Sequence, residues 1–276
     1  MSEDFVAPEW DERLAANGLG SFDALWALDA GWFEPPNKRR GGWSGVSRYE
    51  LSLADGSTEG VFIKRQENHQ TRSWRHPLRG IPTFERELRL IRLYQEAGIP
   101  TLEPLFYGAR QVDGNARAIL VTRELAGFRP MGDLVPEWLE HGAPPRRERY
   151  AYLAAVAAVL ARIHAAGIVH NCFFPKHVFV RHASDGQVEV RIIDLEKSRR
   201  RPQALCRARD LFALIRHAQW WQVRDRLFFL RAYLGERHLS ADGKRLWREL
   251  HERGRKKDRF GKPEKMLRVS IQGPAA

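Results

Sequence analysis

Gly167-Ile168-Val169-His170-Asn171-Cys172-Phe173-Phe174-Pro175-Lys176-His177-Val178-Phe179-Val180, followed further on by Ile192-Ile193-Asp194-Leu195, is the stretch on which the reading of the fold turns. Upstream of it, Leu153, Val156, Leu160 and Ile163 form one apolar face along an Ala-rich run, the helical spacing of a buried helix that Gly167 closes. Residues 178–180 and 188–193 are short β-type runs flanking Asp185-Gly186, which predicts a hairpin. A polar loop with a histidine at each end, His170 and His177, therefore joins a helix to a hairpin. Asp194 follows the second strand directly, where an acidic side chain could hold Mg²⁺ against phosphate oxygens or simply form a turn.

Toward the N-terminus, residues 43–53 and 61–64 alternate or cluster apolar residues around Asp55-Gly56, a second predicted hairpin. The polar residues 65–82 read as a loop. Phe84, Leu88, Ile91 and Tyr94 then recur at helical spacing and stop at Gly98 with Pro100 beyond. Residues 105–107 and 118–122 read as strands, which predicts a five-stranded sheet with one inserted helix. Residues 1–40, with Trp10, Trp26, Trp32 and the turn signals Asn17-Gly18 and Pro35-Pro36, read as an N-terminal extension packed by its aromatics. After residue 125 the pattern is mainly helical, with Leu211, Leu214 and Ile215 on one face and Leu227, Phe228, Leu230 and Tyr233 on another. Trp220 and Trp221 read as core or interface residues rather than a stacking platform.

Lys64 closes the apolar run 61–63, where an ammonium can reach phosphate groups if a carboxylate on the next helix holds it. Glu87 and Glu85 compete for that role. Glu87 is preferred because Leu90 and Ile91 share its helix face and turn it toward the sheet. A surface lysine at a strand end is the plainer alternative.

Taken in order, these segments resemble the lipopolysaccharide core-sugar kinases, the Kdo/WaaP-like family with its InaA-like subgroup, over about residues 41–260. Glu87, residues 97–101, the hinge-like Val121-Thr122-Arg123-Glu124-Leu125 and Arg209-Asp210-Leu211 carry the rest of the similarity. The resemblance implies an α+β, bilobal protein-kinase-like fold. Residues 41–125 would form a small antiparallel-sheet N-lobe with one helix, residues 126–262 a mainly helical C-lobe, and residues 263–276 a tail. It further implies an ATP- and Mg²⁺-dependent phosphotransferase acting on a heptose or Kdo hydroxyl of the lipopolysaccharide core. Lys64 would bind phosphate, Glu87 would orient it, Asp194 and His177 would hold metal, and the Glu124–Leu125 backbone would receive adenine. Asp210 would brace the catalytic loop, and His170 would pack rather than move protons. In that family an Arg-Asp pair follows the first histidine; here Asn171 and Cys172 stand there. Cys172 thus occupies the position of the catalytic aspartate. A slow kinase and a pseudokinase that binds nucleotide without turnover are the two readings this leaves. The glycines Gly41, Gly42 and Gly45 match a phosphate-binding loop only weakly. Lys176 and His177 are the nearest cations in sequence that would lower the thiol pKa.

Composition narrows the partners. Lys plus Arg is 46 against 34 Asp plus Glu, a net charge of +12 that favours an anionic partner. An acidic glycolipid at an anionic membrane surface fits; no nucleic-acid recognition motif appears. The basic residues gather at Lys197, Arg199, Arg200 and Arg201 and again over residues 253–262. Two cysteines are too few for a secreted disulfide framework, and no apolar signal segment opens the chain, so the expected compartment is the cytoplasm, peripheral to the inner membrane. The apolar run 150–161 falls short of the roughly 20 residues a spanning helix needs. A zinc site of His170, Cys172 and His177 is chemically conceivable, but its spacing matches no standard ligand pattern.

Overall fold

The computed structural model describes residues 4–260 apart from 40, 74–75, 184–185 and 219–220. Along the chain, β1 (Phe5–Val6), α1 (Asp11–Ala16), α2 (Phe22–Ala27) and β2 (Glu34–Arg39) lead into the hairpin of β3 (Gly42–Ser52) and β4 (Thr58–Glu67). A second small hairpin, β5 (Gln70–Ser73) with β6 (His76–Pro82), precedes α3 (Thr83–Glu96), and β7 (Pro104–Val112) and β8 (Asn115–Arg123) complete the lobe. The main sheet has six antiparallel strands in the order β1-β7-β8-β4-β3-β2.

The sheet has six strands where five were expected: the four read at 43–53, 61–64, 105–107 and 118–122, and two edges that the first forty residues contribute. β2 carries Pro35-Pro36, a pair that reads as a turn. On an edge strand the missing amides need no partner, and the register shifts between Glu34 and Asn37. The sheet is buried on both faces. Ile119 and Val121 point into a core with Trp10, Leu14, Phe22 and Leu25 from the N-terminal helices, whereas Ala118 and Leu120 face α3 and the helical lobe. Double burial explains why β8 reads as a continuous apolar run instead of an alternating one.

The described residues of 65–82 are mostly strand rather than loop. β4 runs three residues past Lys64, and Arg65 and Gln66 are polar yet buried, with the two Nη atoms of Arg65 and the Gln66 amide bonded internally and Arg65 Nε left without a partner. Arg65 donates to the carbonyls of Trp26 and Leu28 at 3.0 and 2.7 Å and to Ser47 at 3.0 Å, tying the N-terminal segment to the sheet. Gln66 donates to the His69 carbonyl and accepts the Phe84 amide, capping α3 where Pro82 offers no side-chain cap. Lys64 accordingly lies inside a strand, not at its end.

The second lobe comprises β9 (Arg129–Pro130), α4 (Leu134–His141), α5 (Arg146–Ala165), β10 (Ile168–Val169), the hairpin β11 (Val178–His182) and β12 (Val188–Ile192), β13 (Arg199–Arg200), α6 (Gln203–His217), α7 (Val223–Leu234) and α8 (Ala241–Phe260). α5 is buried along Leu153, Val156, Leu160 and Ile163 as its spacing predicts. Trp221 is buried; Trp220, and Asp185 of the predicted turn, lie outside the described residues. Arg253 pairs with Glu249 at 2.7 Å, while the remaining basic side chains of the 253–262 cluster lie outside the described set. Among the described residues no helix is long and apolar enough to cross a membrane.

Two contacts join the lobes beside the site. Thr101 donates to the Ile192 carbonyl at 2.6 Å, and the Tyr94 and Ser198 hydroxyls lie 2.9 Å apart in the interior.

Candidate active site

Side chains alternate along β4, so Ile63 and Arg65 face the N-terminal helices and Lys64 faces α3. There Lys64 Nζ lies 2.5 Å from Glu87 Oε1, both side chains less than one-fifth exposed. Glu85 is drawn away by Arg89, one turn along the same helix. The pair lines a cleft of about 780 Å³ between the sheet and the helical lobe. Glu124, Leu125, His177 and Asp194 line the same cleft.

The Glu124 amide donates to the Gly60 carbonyl at 2.9 Å and the Leu125 carbonyl accepts the Phe128 amide at 3.0 Å, which fixes the hinge backbone. Arg48 grips the Glu124 carboxylate through Nε at 2.9 Å and Nη2 at 2.8 Å. A bidentate grip of this kind fixes orientation as well as charge. The glycines of β3 serve packing. A Cβ on Gly42 would meet the Glu67 and Asn68 backbone at 2.3 to 2.6 Å, and one on Gly45 would meet the Trp32 ring at 2.6 Å.

On the opposite wall, Asp194 takes a left-handed conformation, φ 59° and ψ 53°, which aspartate tolerates better than most residues. The hydrogen bond from Ile193 N to the His177 carbonyl, 3.1 Å, sets it beside the loop. His177 Nδ1 lies 2.9 Å from the Cys172 carbonyl and 3.2 Å from Asp194 Oδ2. Both neighbours accept, so Nδ1 carries the proton and Nε2 is the nitrogen left for a ligand.

The loop itself hangs from Asp210, fully buried on α6. Its carboxylate accepts the amides of His170 at 2.7 Å and Asn171 at 2.8 Å, and lies 3.2 Å from His164 Nε2. His164 Nδ1 in turn meets the Tyr233 hydroxyl at 2.7 Å, so this histidine is an interior bracing group. His170 is buried with both ring nitrogens spent: Nε2 donates to the Ile193 carbonyl at 3.0 Å and Nδ1 accepts the Cys172 amide at 3.2 Å. Burial holds its pKa below the ordinary imidazole value. With no free lone pair on His170, the zinc reading fails on geometry, and no group of three possible metal-ligating side chains occurs among the described residues.

Cys172 is 5% exposed. Burial pushes its thiol pKa up, against the electrostatic pull of the Lys197 ammonium, which the sulfur in turn holds protonated. The cation beside the thiol is therefore Lys197, not Lys176 or His177 as expected from the sequence. Chain folding through β13 brings it there, and no local spacing announces it. Asn171, also left-handed at φ 67°, donates from Nδ2 to the Lys197 carbonyl at 2.7 Å and fixes the two segments together. Arg48, Asn171 and Lys197 are the site residues whose roles sequence reasoning missed.

Comparison with known proteins shows the family and the fold. The model of the lipopolysaccharide kinase (Kdo/WaaP) family matches residues 23–233. Protein InaA of Escherichia coli K12 is 35% identical over 182 residues, covering 65% of this chain and 79% of that protein. The lipopolysaccharide core heptose(I) kinase WaaP of Pseudomonas aeruginosa is 30% identical over 233 residues, covering 79% of this chain and 81% of that one. A solved structure of WaaP in complex with acyl carrier protein superposes with a TM-score of 0.65 at 25% identity, covering 92% of this chain and 99% of the other.

Proposed function

The chain belongs to the lipopolysaccharide kinase (Kdo/WaaP) family, and from that premise we propose that it transfers phosphate from ATP to a heptose or Kdo hydroxyl of the lipopolysaccharide inner core, slowly because position 172 is a cysteine. The observation that carries this reading is the cleft in which the Lys64–Glu87 pair and the Asp194–His177 pair are brought together. A lysine fixed by a carboxylate offers a positioned cation for phosphate oxygens, and phosphoryl transfer depends chiefly on such positioning and charge stabilisation.

The donor set suits Mg²⁺. That ion favours oxygen ligands, needs only one or two protein carboxylates and keeps several waters, and Asp194 supplies a partly exposed carboxylate in the cleft wall. Held by Asp194, the ion would supply positive charge to offset that of the phosphates. His177, its Nδ1 proton anchored, would complete the site through Nε2. Lys64 binds phosphate, Glu87 orients it, and the Glu124–Leu125 backbone receives the adenine edge. Work on a core glycolipid places the protein on the cytoplasmic side, peripheral to an anionic inner-membrane surface, which a net charge of +12 suits.

A pseudokinase is the second reading, favoured by one observation: the group at position 172 is a buried thiol with a raised pKa. Incubating the protein with labelled ATP, Mg²⁺ and lipopolysaccharide from a strain lacking the gene separates them. Slow Mg²⁺-dependent transfer is expected. Nucleotide binding with no transfer selects the pseudokinase, and failure to bind Mg-ATP overturns both.

A further inference from the structure

We infer that Phe33 and Phe62 form an aromatic corner in the wall of the cleft that grips the base of the bound nucleotide and favours a purine. This deepens the phosphotransferase reading and rests on its assignment of the cleft to a nucleotide. Phe33 is 61% exposed, although its ring meets Phe62 edge-on, 5.1 Å between centres with the planes at 66°, and both rings line the cleft. The chain before β2 holds it there. Trp32, one residue earlier, lies against the other face of the sheet, where a Cβ on Gly45 would come within 2.6 Å of its ring and the Arg65 guanidinium sits 4.7 Å from the ring centre. The Phe33 amide donates to the Val46 carbonyl at 2.8 Å. With Trp32 anchored on one face and the backbone tied to β3, Phe33 is held on the opposite face, at the cleft.

Register decides what meets the corner. Phe62 and Lys64 alternate onto the same face of β4, about 6.6 Å apart along the strand. Phe62 pairs with Thr122, two residues before the Glu124–Leu125 backbone. It therefore stands between the cation assigned to phosphate and the hinge assigned to the base edge, where the base itself must lie. Phe128, the ring beside the hinge, is already engaged, with the Arg181 and Arg191 guanidiniums 4.4 and 5.2 Å from its centre. A flat base laid on Phe62 meets Phe33 at the tilted geometry that aromatic pairs favour, and removes water from the exposed ring. The two fused rings of a purine reach both phenyl groups; the single ring of a pyrimidine covers less of the corner. Gly42 and Gly45 are taken up by packing, so covering the nucleotide falls to these aromatics rather than to a glycine loop.

Calorimetry on the full chain tests the corner with three ligands: Mg-ATP, Mg-CTP and Mg-tripolyphosphate, which has phosphates but no base. The proteins are the native chain, Phe33→Ala, Phe33→Trp, Phe62→Leu and the Phe33→Ala/Phe62→Leu double variant. Loss of one base-stacking ring is expected to weaken Mg-ATP binding about tenfold in Phe33→Ala. Mg-CTP should lose less and tripolyphosphate nothing, while Phe33→Trp retains the native affinity. Phe62→Leu, which keeps an apolar side chain but no ring, should show the same pattern. The double variant should lose less than the product of the two single losses, because the rings act as one unit. Native affinity for Mg-ATP in Phe33→Ala overturns the corner, and so does an equal loss for all three ligands, which would mark a general disturbance of the cleft. A loss in Phe33→Ala confined to binding of phosphatidylglycerol vesicles would make this ring a membrane contact and also overturns it. Native protein that binds Mg-ATP but transfers no phosphate refutes the phosphotransferase reading, and the affinities still decide the corner; native protein that binds none of the three ligands refutes both.

Discussion

Lys64 Nζ and Glu87 Oε1 lie 2.5 Å apart, joining strand β4 to helix α3 in the wall of the cleft. A pair this sheltered is costly to split, because the remaining charge loses its partner without regaining full hydration. Glu87→Gln is expected to lower stability by about 1–3 kcal/mol and Mg-ATP affinity by about tenfold or more. Lys64→Met, which leaves the Glu87 carboxylate with no donor, should lose nucleotide binding and at least as much stability. Thermal midpoints with and without Mg-ATP check both, and unchanged stabilisation by nucleotide in either variant would remove that residue from the site.

Asp210 holds the loop from beneath by accepting two backbone amides. Asp210→Ala leaves those amides and His164 without their acceptor in the interior, at a cost of about 1–3 kcal/mol for each unsatisfied group. Asp210→Asn keeps an acceptor and should lose less. Urea unfolding distinguishes them; equal midpoints would show that the bonds contribute nothing net.

Asp194→Asn tests the metal assignment. An amide oxygen is a weaker ligand for a hard divalent cation than a carboxylate. Binding of ATP in the presence of Mg²⁺ should fall to the level seen with a chelator, while metal-independent binding changes little. A variant with full Mg²⁺ dependence would place the ion elsewhere.

How much of this was legible in the sequence depended on whether a residue's partners were local. The α5 face, the 178–192 hairpin and the α3 stop at Gly98 follow from periodicity and turn chemistry within a few residues, and all appear as read. Glu87 was separable from Glu85 because Ile91 sits one turn along its face of α3 and is fully buried. Arg65 and Gln66 misled because their polarity is satisfied by Trp26, Leu28 and Phe84, remote in sequence. Pro35 and Pro36 hid an edge strand for the same reason: the sheet, not the dipeptide, determines whether their missing amides matter. Lys197 reads as one of a basic run and gains its place beside Cys172 only when β13 folds back on β10.

His170 gives a pH dependence with a definite sign. Its folded pKa lies below the ordinary value of about 6.5 because burial disfavours the imidazolium. In the unfolded chain it protonates normally, so the unfolded state binds more protons as pH falls below about 6.5, and stability drops from there toward the folded pKa. Above about 6.5 both states are neutral and the contribution is flat. His170→Gln, which retains one donor and one acceptor, should be less stable at pH 7.5 but lose less stability between pH 7.5 and 5.5. Parallel pH profiles for native and variant would show that His170 does not set the slope.

Cys172 carries the sharpest expectation. An aspartate here would accept the hydroxyl proton and orient the acceptor, whereas a thiol with a pKa raised by burial stays protonated at neutral pH and does neither well. The pull of Lys197 opposes that shift without reversing its direction. General-base assistance is typically worth about 10² to 10⁴ in rate, and a loose transition state stabilised by positioned charge can proceed without it. Native transfer should therefore be slow but Mg²⁺-dependent. Cys172→Asp should be faster by up to about 10² to 10⁴; the new carboxylate would be sheltered at a position 5% exposed but would meet the Lys197 ammonium. The pairing predicts that Lys197→Met abolishes the gain and destabilises the Cys172→Asp protein more than the native one. Cys172→Ser should transfer no faster than native. Measuring initial rates of phosphate transfer and urea midpoints for native, Cys172→Asp, Cys172→Ser and the Cys172→Asp/Lys197→Met double variant decides it. Robust native turnover that is lost in both single Cys172 variants would show that the sulfur itself is required, and the slow-kinase account would be wrong.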